Sequence, residues 1–143
     1  MKPLAFALAL LFPVAVHALP EDTGKLSHKT YTRTATIAGK KITFDLYVPA
    51  VSKPAPLVVA SHGFMRTKAN MAGWGKLLAS RGYIVAAPGL PGPMPDHKVN
   101  GKIVSGLLQW MAAQGAAAGS PLKGLVDGTR RAVLGHSAGG LAS

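Results

Sequence analysis

Apolar and polar positions alternate twice near the start of the chain. From Lys29 to Ile37, Tyr31, Arg33, Ala35 and Ile37 fall on one face and threonines on the other. From Lys41 to Val48, Ile42, Phe44, Leu46 and Val48 alternate with Lys41, Thr43, Asp45 and Tyr47, after a turn at Ala38-Gly39-Lys40. Two period-two strands around a short glycine-containing turn predict a β-hairpin. Beyond the proline-rich stretch from Pro49 to Pro56 the pattern changes. Leu57-Val58-Val59-Ala60, Tyr83-Ile84-Val85-Ala86-Ala87 and Arg131-Ala132-Val133-Leu134 are short apolar runs, as expected of strands buried on both faces. Between them lie two helical patterns. Asn70 is placed to cap the first, with Met71, Trp74, Leu77 and Leu78 as its apolar positions and Arg81-Gly82 as its end. Asp96 is placed to cap the second, which carries Val99, Ile103, Leu107, Leu108 and Met111. The segment from Pro88 to Pro95 reads as loop, and Gly115 to Gly128 as a flexible connection with a turn at Asp127-Gly128. The order hairpin, β, α, β, α, β and the start of a helix predicts an α/β fold with a mostly parallel sheet and right-handed crossovers.

Residues 1–18 stand apart from this pattern. Lys2 is followed by the apolar run Leu4 to Phe12, a break at Pro13 and the small-residue ending Val16-His17-Ala18. That order is the order of a secretory leader, and the run is too short to span a bilayer. The expected organisation is a signal peptide over 1–18, a polar lead-in over 19–28 and the folded domain over 29–143. The expected localisation is secreted or periplasmic, with no membrane span after the leader is removed.

The chain has 143 residues, 48% of them hydrophobic, which argues against disorder. It contains no cysteine, so disulfides, thiolate chemistry and zinc–thiolate sites are excluded within it. Histidines 17, 28, 62, 97 and 136 show no metal-ligand spacing, and no metal or other cofactor is expected. The net charge of +11 comes from scattered lysines and arginines with no run longer than Lys40-Lys41 or Arg130-Arg131. Without a patch of basic and aromatic residues, the charge reads as solvated surface, and no nucleic-acid partner is expected. A basic binding module for nucleic acid or envelope polymers would rest on charge alone.

The candidate chemistry lies in Val133-Leu134-Gly135-His136-Ser137-Ala138-Gly139-Gly140. A buried strand running into G-x-S-x-G is the pattern of a nucleophile elbow, which holds a serine on a sharp strand-to-helix turn with its hydroxyl exposed. Gly135 and Gly139 are small because side chains there would collide with the neighbouring strand and helix. Ser61-His62-Gly63-Phe64 ends the first apolar strand, where such an enzyme places half of its oxyanion hole. The expected donors are the backbone N–H groups of Phe64 and Ala138, each of a type that lowers the barrier by about 3–4 kcal/mol. His62 and His136 are read as packing or hydrogen-bonding residues rather than the general base. Asp96 is read as a helix cap rather than a relay with His97. Trp74 and Trp110 are read as core residues, with the rim of the cleft as a second place for Trp74.

On these motifs, the chain resembles the N-terminal half of an α/β-hydrolase. Within that superfamily it is most similar to exported dienelactone-hydrolase-like esterases, including chlorophyllase-like and polyester-hydrolase (cutinase-like) members. The likeness runs from about Tyr31 to Ser143 and is densest in Pro56 to Phe64, Leu77 to Pro88 and Val133 to Gly140. It implies an α/β-hydrolase fold truncated after the elbow, with Ser137 as nucleophile and Phe64 also walling the acyl pocket. It implies a catalytic acid and histidine lying outside this chain, and a small-molecule or polymeric ester as substrate. The chain departs from many relatives at Pro88-Gly89-Leu90, where they carry Pro-Asp. With the last strand left as an unpaired edge, the 143-residue chain alone is expected to be unstable and nearly inactive. The expected function is thus an exported serine hydrolase, a carboxylic-ester hydrolase acting through an acyl-enzyme on Ser137. The alternatives are a peptidase or acyltransferase of the same fold, or an inactive truncated product.

Overall fold

A computed structural model of the protein describes residues 23–92 and 96–143. The expected leader over 1–18 and the first residues of the lead-in lie outside the described residues.

The hairpin forms as its alternation predicts. Strand β1 (His28–Ile37) and strand β2 (Lys40–Pro49) pair antiparallel, with Ile37 opposite Lys40. Ala38 (φ 49°) and Gly39 (φ 75°) make the two-residue loop, and two positive φ values are what a type I′ turn needs to follow the twist of the strands. Strand β3 (Ala55–Ser61) and strand β4 (Ile84–Pro88) are the two apolar runs, paired parallel with Leu57 opposite Ile84. Strand β5 (Val126–Gly135) pairs parallel with the other side of β3. The sheet order is β1-β2-β4-β3-β5.

The sheet is therefore mixed, not mostly parallel. β2 does not stay behind as half of an appended hairpin; it runs antiparallel beside β4, with Phe44 opposite Pro88 and Tyr47 opposite Val85. It is buried on both faces, since Phe44, Leu46 and Val48 belong to one core cluster and Tyr47 to the other. That burial holds the hairpin inside the sheet.

A helix covers each face. Helix α1 (Ala72–Ala79), entered through a 3-10 turn at Lys68–Met71, packs over Tyr47, Val58, Ala60, Val85 and Ala87. Its start differs from the expectation. Asn70 lies inside the 3-10 turn, and its Oδ1 accepts a hydrogen bond from the Thr67 N–H at 2.9 Å. Its buried face is also different: Met71, Gly75 and Ala79 point inward, while Trp74 is 49% exposed. A Cβ on Gly75 would run into the Tyr47 ring, so the helix lies too close to the sheet for larger residues on that face. Burial, reinforced by the Asp45 charge, pushes the Tyr47 phenol above its ordinary range, so the ring stays neutral.

Helix α2 (His97–Gln114) covers the opposite face with Ile103, Val104, Leu107 and Met111. Asp96 caps it as expected, with Oδ1 accepting from the Val99 N–H at 3.0 Å. Trp110 meets Phe44 edge to face at 5.0 Å, which keeps it with the core.

Two further expectations are corrected on this side. The connection after α2 is tied down, with the Gly124 N–H donating to Gly115 O at 2.9 Å and Leu122 fully buried. The third apolar run is not buried on both faces; it is the unpaired edge expected of the last strand. β5 is an edge strand, and Arg130, Arg131, Ala132 and Val133 are exposed. The Asp127-Gly128 turn becomes a bulge inside β5: Pro56 faces Asp127, the next residue Leu57 faces Arg131, and 128–130 loop out.

Candidate active site at the ends of strands β3 and β5

β3 and β5 run side by side and release their next residues at the same end of the sheet, with Ser61 opposite Gly135. The His136 N–H donates to Ser61 O at 3.0 Å, which carries the pairing one residue past the strand. The chain then turns sharply. Ser137 has φ 54°, the left-handed region that a non-glycine residue adopts only when its surroundings enforce it. A 3-10 turn over Ser137–Gly139 follows, closed by Gly139 N–H to His136 O at 3.0 Å and Gly140 N–H to Ser137 O at 2.9 Å. Ser137 remains exposed at the crest.

Backbone proximity explains both flanking glycines. A Cβ on Gly135 would strike the backbone of Gly139 and Gly140. A Cβ on Gly139 would strike the carbonyls of Ser61 and His62 at the end of β3. The turn is thus folded back on its own strand and wedged against the neighbouring one. A third glycine completes the contact, because a Cβ on Gly63 would lie 2.8 Å from His136 O and 3.1 Å from the Ser137 Cβ. The two loops singled out in the sequence are therefore in direct contact. Gly63 begins a tight turn closed by Arg66 N–H to Gly63 O at 3.2 Å, with Met65 at φ 51°. Phe64, 46% exposed, and Met65, 80% exposed, project from it.

His62 is 7% exposed, and both of its ring nitrogens are engaged. The Leu90 N–H donates to Nε2 at 3.0 Å. An N–H can only donate, so the ring proton sits on Nδ1, 3.0 Å from Gly63 O. The ring bridges the loop after β3 to the loop after β4, a packing and hydrogen-bonding role. Nearby, Asp45 of β2 receives Lys68 Nζ on both carboxylate oxygens at 2.6 Å and the Thr32 hydroxyl at 2.7 Å, which pins the 3-10 turn before α1 to the sheet.

Two small cavities flank the Gly63 turn. One of roughly 200 Å³ is walled by His62, Gly63, Arg66, Met71, Trp74 and His136. Trp74 therefore takes the rim position. The other, roughly 100 Å³, reaches from Phe64 and Ala138 to Leu90 and Asn100. Sequence reasoning overlooked Arg66 and Asn100. The signal for Asn100 was present: it shares the inward face of α2 with Ile103, Val104 and Leu107, a polar residue at a core position. Arg66 carried no comparable signal. Among the described residues no group of three or more histidines or carboxylates is placed to hold a metal ion, and no helix is long and apolar enough to cross a membrane.

The family model of PETases, described as PET hydrolase-like, matches residues 22–143. The chain belongs to the PETase family. A search of the curated proteins finds no match. Membership makes the chain an ester hydrolase of the α/β-hydrolase type, in agreement with the resemblance that its motifs carry. In a PETase-family chain, an exposed serine on a strained turn between two cavities is the first place to look for ester chemistry.

Proposed function

We propose that the protein is an exported serine esterase of the PETase family, acting on small-molecule or polymeric carboxylic esters through an acyl-enzyme on Ser137. One observation carries the reading. Ser137 stands exposed at φ 54° at the end of β5, on a turn closed from both sides by Gly135 and Gly139 and touched by Gly63. Holding a serine in strained backbone has a conformational cost, and such strain collects at sites where geometry matters.

In the proposed mechanism the Ser137 oxygen attacks the ester carbonyl while a general base takes its proton. The carbonyl oxygen becomes an oxyanion, held by the N–H groups of Phe64 and Ala138, residues that both line the smaller cavity. Collapse returns the proton to the leaving alcohol and leaves the acyl group on Ser137; water then releases the acid and restores the serine. His62 is not the base, because Nε2 accepts from Leu90 and the Nδ1 proton points at Gly63 O. We assign the base and its orienting acid to residues outside this chain. Export is supported by the leader-like order of residues 1–18, and the family match begins downstream of it.

A fluorophosphonate probe tests the reading. The full-length protein, base and acid included, is expected to become labelled and to hydrolyse short esters, and Ser137→Ala is expected to abolish labelling and lower kcat by about 10³-fold or more. Labelling that survives Ser137→Ala sinks the assignment.

A further inference from the structure

The end of the sheet opposite Ser137 carries a surface of a different kind. β3 and β4 start there and β2 ends there, and the residues leading into β3 and β4 line a groove of roughly 450 Å³. Its lining is apolar at Leu26, Val51, Pro54 and Pro56, and basic at Lys53, Arg81 and Arg130, all three exposed. Tyr83 also lines it, and both Tyr83 and Leu26 are 37% exposed. A second groove, roughly 480 Å³, adjoins the first at Ala50 and is lined by Tyr31, Val48, Pro121 and Leu125 together with Lys29. Charge is divided unevenly between the two ends. The carboxylates of the described residues are Asp45, Asp96 and Asp127. Asp45 lies opposite Ala87 at the end of β4, and Asp96 starts the helix whose next turn shares a cavity with Ala138, so both belong to the Ser137 end. Asp127 alone remains at the far end, where Arg130 holds it at 2.6 Å. There it stands against Lys25, Lys29, Lys53, Arg81 and Arg130.

We propose that this end of the molecule is a docking face for an anionic lipid bilayer, on which the protein lies without spanning it. The proposal does not depend on the esterase reading of Ser137. Cations gathered around apolar grooves match the layering of such a surface, with phosphate headgroups outermost and acyl chains beneath. The lysines and arginines meet the headgroups, and Leu26, Val51 and the prolines meet the boundary with the chains. Tyr83, with an apolar ring and a polar tip, suits the level between them. Stable peripheral binding needs both an apolar and an electrostatic signal, and this face supplies both. Nucleic acid is a poorer fit, since among the described residues Tyr83 is the one aromatic lining the first groove, too few for a row of stacked bases. Ser137 follows the far end of β5, so the docked protein keeps it turned toward solvent.

Co-sedimentation with vesicles tests this, using the full-length protein expressed without residues 1–18. It is expected to bind vesicles of equal parts phosphatidylglycerol and phosphatidylcholine about tenfold more strongly than phosphatidylcholine alone, and to be released by about 0.5 M salt. The double variant Lys53→Glu/Arg81→Glu is expected to weaken partitioning by about 25-fold or more, taking about fivefold for each cation at the surface. Lys40→Glu/Lys41→Glu changes the net charge equally, but at the hairpin turn on the Ser137 end, and should stay within about threefold of the natural protein. Tyr83→Ser should weaken binding by about threefold and leave its salt dependence in place. Should the first double variant fail to fold, Lys53→Glu alone repeats the test, with a loss of about fivefold expected. Equal binding to both kinds of vesicle, or to neither, overturns the inference. An equal loss in the two double variants does so too, because net charge and not this face would then be responsible. Retention on immobilised polyglutamate without vesicle binding, abolished by Lys53→Glu/Arg81→Glu, would assign the face to an acidic polypeptide and overturn the lipid reading as well.

Discussion

Ala38 in the hairpin turn and Ser137 at the elbow share nearly the same unusual backbone conformation, with φ 49° and φ 54°, for opposite reasons. At the hairpin, nothing among the described residues lies within 4 Å of a Cβ built on Gly39. Turn geometry alone demands the positive φ there. At the elbow, space itself is limiting. Gly135 is pressed on Gly139 and Gly140, Gly139 on Ser61 and His62, and Gly63 on His136 and Ser137. The first turn is local and replaceable. The second is held by contacts among three separate segments, which is how a strained residue persists.

Crowding the elbow should give the largest effect. Gly139→Ala places a Cβ against the carbonyls of Ser61 and His62, backbone atoms that cannot step aside as a flexible side chain would. Overpacking of this kind costs about 1–3 kcal/mol and sometimes more. The expected result of chemical denaturation is a loss near the top of that range, accompanied by loss of Ser137 labelling. A fully stable, fully labelled Gly139→Ala would mean that the loops are less tightly wedged than this comparison requires.

A smaller effect is expected from cutting the strap that fixes the Gly63 turn. His62→Leu keeps the bulk but leaves the half-buried Leu90 N–H without its acceptor, while Gly63 O keeps the Arg66 N–H. Stranding such a group costs about 1 kcal/mol or somewhat more. Ester turnover should fall with stability, because the turn carries Phe64. At the hairpin the sign reverses. Ala38→Asn sets Asn-Gly in a two-residue turn with positive φ at both positions, the preferred pair for that geometry, and should raise stability by about 0.5–1 kcal/mol with turnover unchanged. A destabilised Ala38→Asn would show that the hairpin turn is constrained by more than its own geometry.

The same contrast separates what the sequence disclosed from what it did not. The hairpin was legible because alternation and Ala-Gly are local signals, and the elbow was legible because three small or nucleophilic residues follow one strand at fixed spacing. The place of β2 in the sheet was not, since antiparallel pairing with β4 depends on which edge is open, although the run Leu46-Tyr47-Val48 already hinted at burial on both faces. The inward face of α1 was hidden for a physical reason. Gly75 and Ala79 are buried by close approach to Tyr47 and the sheet, and hydrophobic periodicity is blind to small residues. β5 shows both sides of the reading: its apolar run suggested burial on both faces, yet it is the unpaired edge expected of the last strand, since burial also requires a neighbour on the far side. The loop contacts of His62 with Leu90 and the cavity at Asn100 arise only in three dimensions.

The smallest expected effect lies at the bulge in β5, where the sheet leaves its regular register just as the hairpin leaves it at its turn. Asp127 there accepts from the Thr129 hydroxyl at 2.6 Å, the Arg130 Nε at 2.6 Å and the Thr129 N–H at 3.0 Å. These bonds favour the charged carboxylate, the Thr129 hydroxyl most and then Arg130, and lower its pKa from 3.8 to about 2. A carboxylate depressed in the folded state adds stability that is fully present above its unfolded pKa, near 3.8, and is lost as pH falls through the folded value near 2. The group lies at the surface, so salt and water weaken the Arg130 pair and the contribution is minor. Melting curves of the natural protein and Asp127→Asn should therefore differ slightly and constantly at neutral pH, and the gap should close between about pH 4 and pH 2. A gap that persists unchanged at pH 2 would assign the bulge to backbone pairing with β3, and make it, like the hairpin turn, a matter of local geometry rather than charge.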